Sequence, residues 1–129
     1  MFQIEDSGKR ESFGTGAVRD PEDGKLRLDL IFKYLPMEAL VRVAEHYDKG
    51  ALKYQADNWR KGIPVSRCFS SALRHLYQFG EGRSDEDHLA AVIFNVLAII
   101  QYQEVGPSSV VDFPKKFVEK TLDKSRNAE

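Results

Sequence analysis

The chain has 129 residues, 42% of them hydrophobic and 30% charged, which suits one compact domain because domains cluster at roughly 100–150 residues. Nineteen Lys and Arg against twenty Asp and Glu leave a formal net charge of -1, so no global positive field exists to hold duplex nucleic acid or an anionic membrane, and any phosphate site is local. Cys68 is the only cysteine, which excludes an internal disulfide framework and a multi-cysteine zinc site and fits a reducing, cytoplasmic setting.

Residues 1–24 carry Gly8, Gly14, Gly16, Pro21 and Gly24 among alternating charges without apolar periodicity, and are expected to form an extended arm. The first residues lack the apolar core of a signal peptide. From Lys25 to Asp29 charged and apolar residues alternate, which in an extended segment puts Lys25, Arg27 and Asp29 on one side as a basic lip with one acid. A first helix is expected from near Leu35 and Pro36, with Leu40, Val43, Ala44 and Tyr47 on one face and Gly50 ending or interrupting it. The aromatic and polar stretch from Gly50 to Pro64 reads as at least partly loop.

Ser66 is expected to cap a second helix in which Phe69, Ala72, Leu73, Leu76 and Phe79 form an apolar stripe, ending at Gly80. Ser84 with Asp87 three residues later is an imperfect capping box, opening a third helix that runs to about Glu104. Its apolar run from Leu89 to Ile100 spans about 18 Å against a hydrocarbon core of about 30 Å, so it is a core helix and not a membrane span. Pro107 stops that helix, and Pro114 opens a short amphipathic tail carrying Phe117, Val118 and Leu122. The expected architecture is all-α, a small bundle of three to five helices: an arm at 1–24, a helical domain at 25–105 and a helical tail at 106–129. The third helix is apolar almost all round, so it is expected to be central and to need a fourth helix or a second copy of the chain as cover, which makes a homo-oligomer the natural assembly.

Asn95 is anomalous, an amide inside an aliphatic run where lacking a partner costs about 1–3 kcal/mol, so it meets a partner, a water or a ligand. His88 lies two helical turns before it, on the same face. Glu81 and Asp85 flank the turn before the third helix, and Glu38 and Glu45 are seven apart on the first, so two helices could converge on a cation. The plainer alternative is a solvated charged surface, with Asp85, Glu86 and Asp87 stabilising the positive end of a helix dipole. Arg74 and His75 pair a forked phosphate donor with a group able to orient a carboxylate or donate to a phosphate oxygen, or else serve as structural hydrogen-bonders, whereas His46 is expected in solvent. Lys53, Tyr54, Asn58 and Trp59 are the inventory for stacking a base and reading its edge, or else fill the core and anchor a loop. Walker, GxGxxG, GxSxG and HExxH motifs are absent from the sequence. Cys68, in an apolar helix pattern, reads as inert core.

Taken in order, Lys25, Arg27 and Asp29, then Gly50-Ala51, Lys53-Tyr54, Asn58-Trp59, Arg74-His75, Gly80-Glu81, Asp85, His88-Leu89 and Asn95 resemble the phage and bacterial domain labelled dATP/dGTP diphosphohydrolase, N-terminal, over about residues 20–103. The resemblance implies a relation to MazG-type all-α nucleoside triphosphate pyrophosphohydrolases, helical oligomers that use Mg2+ to split a nucleotide into monophosphate and pyrophosphate. Those enzymes usually carry ExxE and ExxD helices. This chain has no ExxE, its ExxD at Glu45 and Asp48 lies near the end of the first helix, and His88 and Asn95 stand where a carboxylate pair is expected.

On that resemblance the expected activity is metal-dependent hydrolysis of dATP or dGTP, in the host cytoplasm if the chain is phage-encoded. Glu81 and Asp85, with Glu38 or Glu45, would hold Mg2+ or Mn2+. Lys25, Arg27, Lys53 and Arg74 would meet phosphate charge, His88, Asn95 and His75 would serve the reaction, Tyr54 or Trp59 would stack on the purine, and Asn58 would read its edge. The alternative is a non-catalytic nucleotide-binding protein, a phage sponge for a nucleotide signal or a regulatory subunit. Either way the partner is a nucleotide, not duplex nucleic acid or a membrane.

Overall fold

The computed structural model describes residues 3–115; the expected tail helix with Phe117, Val118 and Leu122 lies outside them. The chain divides into two compact units, one ending at Leu35 and the other beginning at Pro36.

In the first unit the expected arm contains a small hairpin. Strands β1 (Glu11–Ser12) and β2 (Val18–Arg19) pair antiparallel, with Glu11 opposite Arg19 and Ser12 opposite Val18. Gly16 sits at φ +88° in the loop that closes it, a conformation glycine adopts without a Cβ penalty. Arg10 bonds Asp6 at 2.9 Å and Asp20 at 3.1 Å, tying the segment before the hairpin to the one after it. The alternating stretch is not extended throughout: α1 (Asp29–Tyr34) begins inside it, and Arg27 grips Asp29 through two bonds of 2.8 Å at the helix start. No residue of β1, β2 or α1 is buried.

The second unit carries three long helices, α2 (Met37–Lys53), α3 (Val65–Gly80) and α4 (His88–Glu104), with short 3-10 turns at Asn58–Lys61 and Ser108–Val110. Pro36 precedes the first residue of α2, where its fixed φ and missing N–H cost nothing. Gly50 does not end α2; the helix continues to Lys53, because the penalty for one helical glycine, about 1 kcal/mol, is smaller than what the surrounding turns supply.

The caps differ from the expected ones. Ser66 lies inside α3, and its backbone N–H and hydroxyl both donate to Asp112, at 2.9 and 2.6 Å, so an acid 46 residues downstream caps the helix. Asp87, not Ser84, caps α4 and accepts the Ala90 N–H at 3.1 Å.

Helix α4 packs on α3 and α2 through His88, Ala91, Asn95, Ala98 and Tyr102, a buried stripe with alternating steps of three and four. Four of its bulky aliphatic residues point elsewhere: Ile93, Val96, Leu97 and Ile100 are 42–48% exposed. The stripe expected on α3 is turned out in the same way, with Phe69, Leu73, Leu76 and Phe79 exposed, while Val65, Cys68 and His75 face inward. Small and polar residues let the two helices approach closely, and that contact, not hydrophobicity alone, sets which faces meet.

The apolar core lies at the far end of these helices from His88. It consists of Val65, Cys68, Ala98, Tyr102 and Val111, backed by Trp59, Ile63, Ile99 and Val110. The Tyr102 hydroxyl donates to the Trp59 carbonyl, satisfying a buried polar group and anchoring the loop after α2. Gly62, at φ +111°, lies so close to Pro107 that a Cβ there would meet the ring at 2.8 Å. Cys68 is buried as expected, and burial pushes its thiol pKa up. No helix among the described residues is long and apolar enough to cross a membrane.

Candidate functional site

The second unit opens a cleft of about 500 Å³ lined by all three long helices. Arg42, Glu45, His46, Lys49 and Lys53 reach it from α2, where spacings of three, four and seven place them on one side. Ser71, Arg74 and His75 come from α3, Glu86 and Asp87 from the connector, and Ala91, Phe94 and Asn95 from α4. A smaller recess of about 140 Å³ adjoins it, lined by Tyr47, Gln55, Asn58, Trp59 and Ile63 among others. His46, Gly50, Tyr54 and Phe94 line both spaces.

The recess is aromatic. Tyr47 and Trp59 each meet Phe94 edge-on, with ring centroids 5.0 and 6.4 Å apart, and the His46 ring is 5.1 Å from the same phenyl group. His46 is therefore half-buried and not in solvent, and that burial holds its pKa below the ordinary histidine value.

The large cleft is polar, and its charges are unevenly committed. Asp87 is gripped by Arg42 through two bonds of 2.7 Å, which hold its carboxyl at about 2. Lys53 lies 5.2 Å from the centre of the Tyr54 ring, a cation over an aromatic face. Arg74 touches the Ser71 hydroxyl at 3.3 Å with one of its nitrogens. With Arg42 and Asp87 paired, Lys49, Lys53 and Arg74 stand against Glu45 and Glu86, a balance suited to an anionic ligand.

Asn95 has found its partners: its Nδ2 donates to the Ala91 carbonyl at 2.8 Å and to Ser71 at 3.4 Å. The most concentrated polar chemistry lies where α3 meets the start of α4. His75 and His88 present Nδ1 atoms to each other at 2.9 Å, and His88 Nε2 lies 2.9 Å from Asp85 Oδ1. The His88 bond holds the Asp85 carboxyl below its usual range, and burial holds His75 below its own.

The candidate residues thus divide by position. Lys53, Tyr54, Arg74, His75, Asn95 and Glu45 share the cleft, and Asn58 and Trp59 line the adjoining recess. His88 joins them through His75, and Asp85 through His88. Glu81 turns to Arg83 at 3.4 Å, and Glu38 lies exposed in the first turn of α2. Lys25 and Arg27 belong to the first unit. Among the described residues the acidic, histidine and cysteine side chains that bring three ligand atoms within 4.8 Å are His75, Glu86 and His88; Glu38, Glu45, Glu81 and Asp85 form no such group.

Arg42, Lys49, Ser71 and Phe94 were not anticipated, and Glu86 was read only as a charge at the positive end of a helix dipole. For Arg42 and Lys49 the signal was the polar face they share with Glu45 and Lys53 on α2. For Ser71 and Phe94 there was none, because their position depends on how the helices pack.

A family model described as dATP/dGTP diphosphohydrolase, N-terminal, matches residues 15–109. Neither the curated proteins nor the solved structures include a match to the chain.

Proposed function

Because the chain belongs to the family of the dATP/dGTP diphosphohydrolase N-terminal domain, we propose that it hydrolyses a purine deoxynucleoside triphosphate, dATP or dGTP, to the monophosphate and pyrophosphate, in the cytoplasm. The observation that carries this is the junction of a cationic cleft with an aromatic recess at Gly50 and Tyr54. A triphosphate in the cleft places its base in the recess.

Each end has its own chemistry. Arg74 offers a planar fork of donors to phosphate oxygens, and Lys49 and Lys53 add mobile point charges. Tyr54 or Trp59 stacks on the purine, and Asn58 hydrogen-bonds its edge. His75 orients the attacking water at the cleft wall, supported by His88, while Asn95 donates no further than its helix and Ser71 and so fixes the floor.

The reaction is proposed to depend on a divalent cation, Mg2+ or Mn2+. A bound cation supplies charge neutralisation on phosphate oxygens. The oxygen-only set Glu38, Glu45, Glu81 and Asp85 does not fit it, since these carboxylates form no common group of ligand atoms.

The test is incubation with each dNTP and NTP, with Mg2+, with Mn2+ and with EDTA, reading products by chromatography. Monophosphate and pyrophosphate from dATP or dGTP, formed only with metal, is the expected result; absence of turnover with every nucleotide overturns it. The same dispersed carboxylates favour a second reading, a protein that binds a nucleotide and releases it unchanged. Intact nucleotide recovered after denaturation, without turnover, would establish that alternative.

A further inference from the structure

His75 and His88 face each other Nδ1 to Nδ1 at 2.9 Å, and Glu86 Oε1 lies 3.4 Å from the first nitrogen and 4.0 Å from the second. A circle through three points so spaced has a radius of about 2.0 Å, the length of a zinc bond to imidazole nitrogen or carboxylate oxygen. One point is thus at bonding distance from two nitrogens and an oxygen. We propose that His75, Glu86 and His88 form a binding site for a divalent first-row transition cation of the Zn2+ and Co2+ class.

The surroundings are those such a site requires. Asp85 Oδ1 lies 2.9 Å from His88 Nε2, and an ionised carboxylate only accepts, so Nε2 carries the proton and Nδ1 keeps its lone pair on the side of His75 and Glu86. Metal-bound histidines are held in this way, by a carboxylate on the nitrogen that does not bind. Without a cation, His75 Nδ1–H donates to His88 Nδ1, so both states satisfy the rings.

Burial is graded across the three ligands. The His88 side chain is 1% exposed, His75 12% and Glu86 52%. The nitrogens are therefore shielded from bulk water, while the carboxylate side opens on the cleft, which His75 and Glu86 both line. A cation enters there and keeps positions for water or a phosphate oxygen, as three-ligand sites do. Two imidazoles favour Zn2+ or Co2+ over Mg2+, which demands oxygen.

The site requires no nucleotide, so its test contains none. The full chain is stripped with EDTA and titrated with Co2+, reading visible ligand-field absorption, followed by competition with Zn2+ and with Mg2+. Circular dichroism of every variant reports folding. The expected result is a saturable Co2+ spectrum that Zn2+ abolishes and excess Mg2+ leaves intact, and that disappears in His75→Ala. Glu86→Gln alters an exposed side chain, so it keeps the fold and weakens binding. Asp85→Asn retains the spectrum with an affinity lower by about 10- to 100-fold.

A folded wild-type chain without a saturable spectrum overturns the site, as does a spectrum unchanged in both His75→Ala and Glu86→Gln. Binding without turnover would remove the hydrolase proposal and leave this one standing; turnover without binding would do the reverse.

Discussion

Three residues decide what the cleft can do and what the loop beside it tolerates. Arg74 is the forked cation of the cleft, so Arg74→Ala is expected to lower kcat/KM for the purine deoxynucleotide by about 100-fold, with Arg74→Lys recovering little of the loss. Steady-state kinetics on folded variants checks this. Gly50 lies where cleft and recess join, with no atom within 4 Å of an added Cβ. Gly50→Ala should raise helix stability by up to about 1 kcal/mol, whereas Gly50→Leu should fill the junction and weaken nucleotide binding about tenfold or more, a loss of about 1.4 kcal/mol, measurable by calorimetry. Gly62 is the reverse case: its positive φ and the 2.8 Å approach to Pro107 leave no space for a side chain. Gly62→Ala should cost about 1–3 kcal/mol, read as a lower denaturant midpoint.

At the scale of elements, the start of α3 depends on a residue that follows α4. Asp112 accepts from both the Ser66 backbone and its hydroxyl, and these bonds hold its carboxyl below the ordinary 3.8. The folded value lies below the unfolded one, so the folded state resists protonation. The resulting stability is present above the unfolded value and is lost as pH falls through the folded one. Asp112→Ala should therefore cost about 1 kcal/mol at neutral pH, and the gap from wild type should close in acid; urea melts at a series of pH values test both parts. The sequence marked the approximate start of α3 through Ser66, but it placed the cap on Ser66 itself, because a partner 46 residues away leaves no local pattern.

For the whole molecule, the bulky faces of α3 and α4 matter most. Phe69, Leu73, Leu76 and Phe79 on one helix and Ile93, Val96, Leu97 and Ile100 on the other are at least 40% exposed. A second copy of the chain, the assembly expected from the near-uniform hydrophobicity of α4, would cover such surface. Sedimentation of the full chain should show two or more copies, and Leu97→Glu should shift it toward the monomer; a monomeric wild type at high concentration would refute the expectation. The charge balance belongs to this scale as well. With a net charge of -1, an anionic ligand in the cleft would rely on its local cations, and its affinity should fall with added salt to the extent that Lys49, Lys53 and Arg74 carry it.

The sequence by itself determined the all-α class, the approximate ends of α2, α3 and α4, and the ordered residues that place the chain in its family. Those properties are written in near neighbours: periodicity, prolines and glycines act over a few residues. Only the tertiary structure decided which helix faces meet. Periodicity marks the most apolar side of α3, yet that side is exposed, because Cys68 and His75 line the contact with α4. The same packing unites His75, Glu86 and His88 and leaves Glu38 and Glu81 apart, since atoms 13 residues distant along the chain come within bonding reach only when two helices cross.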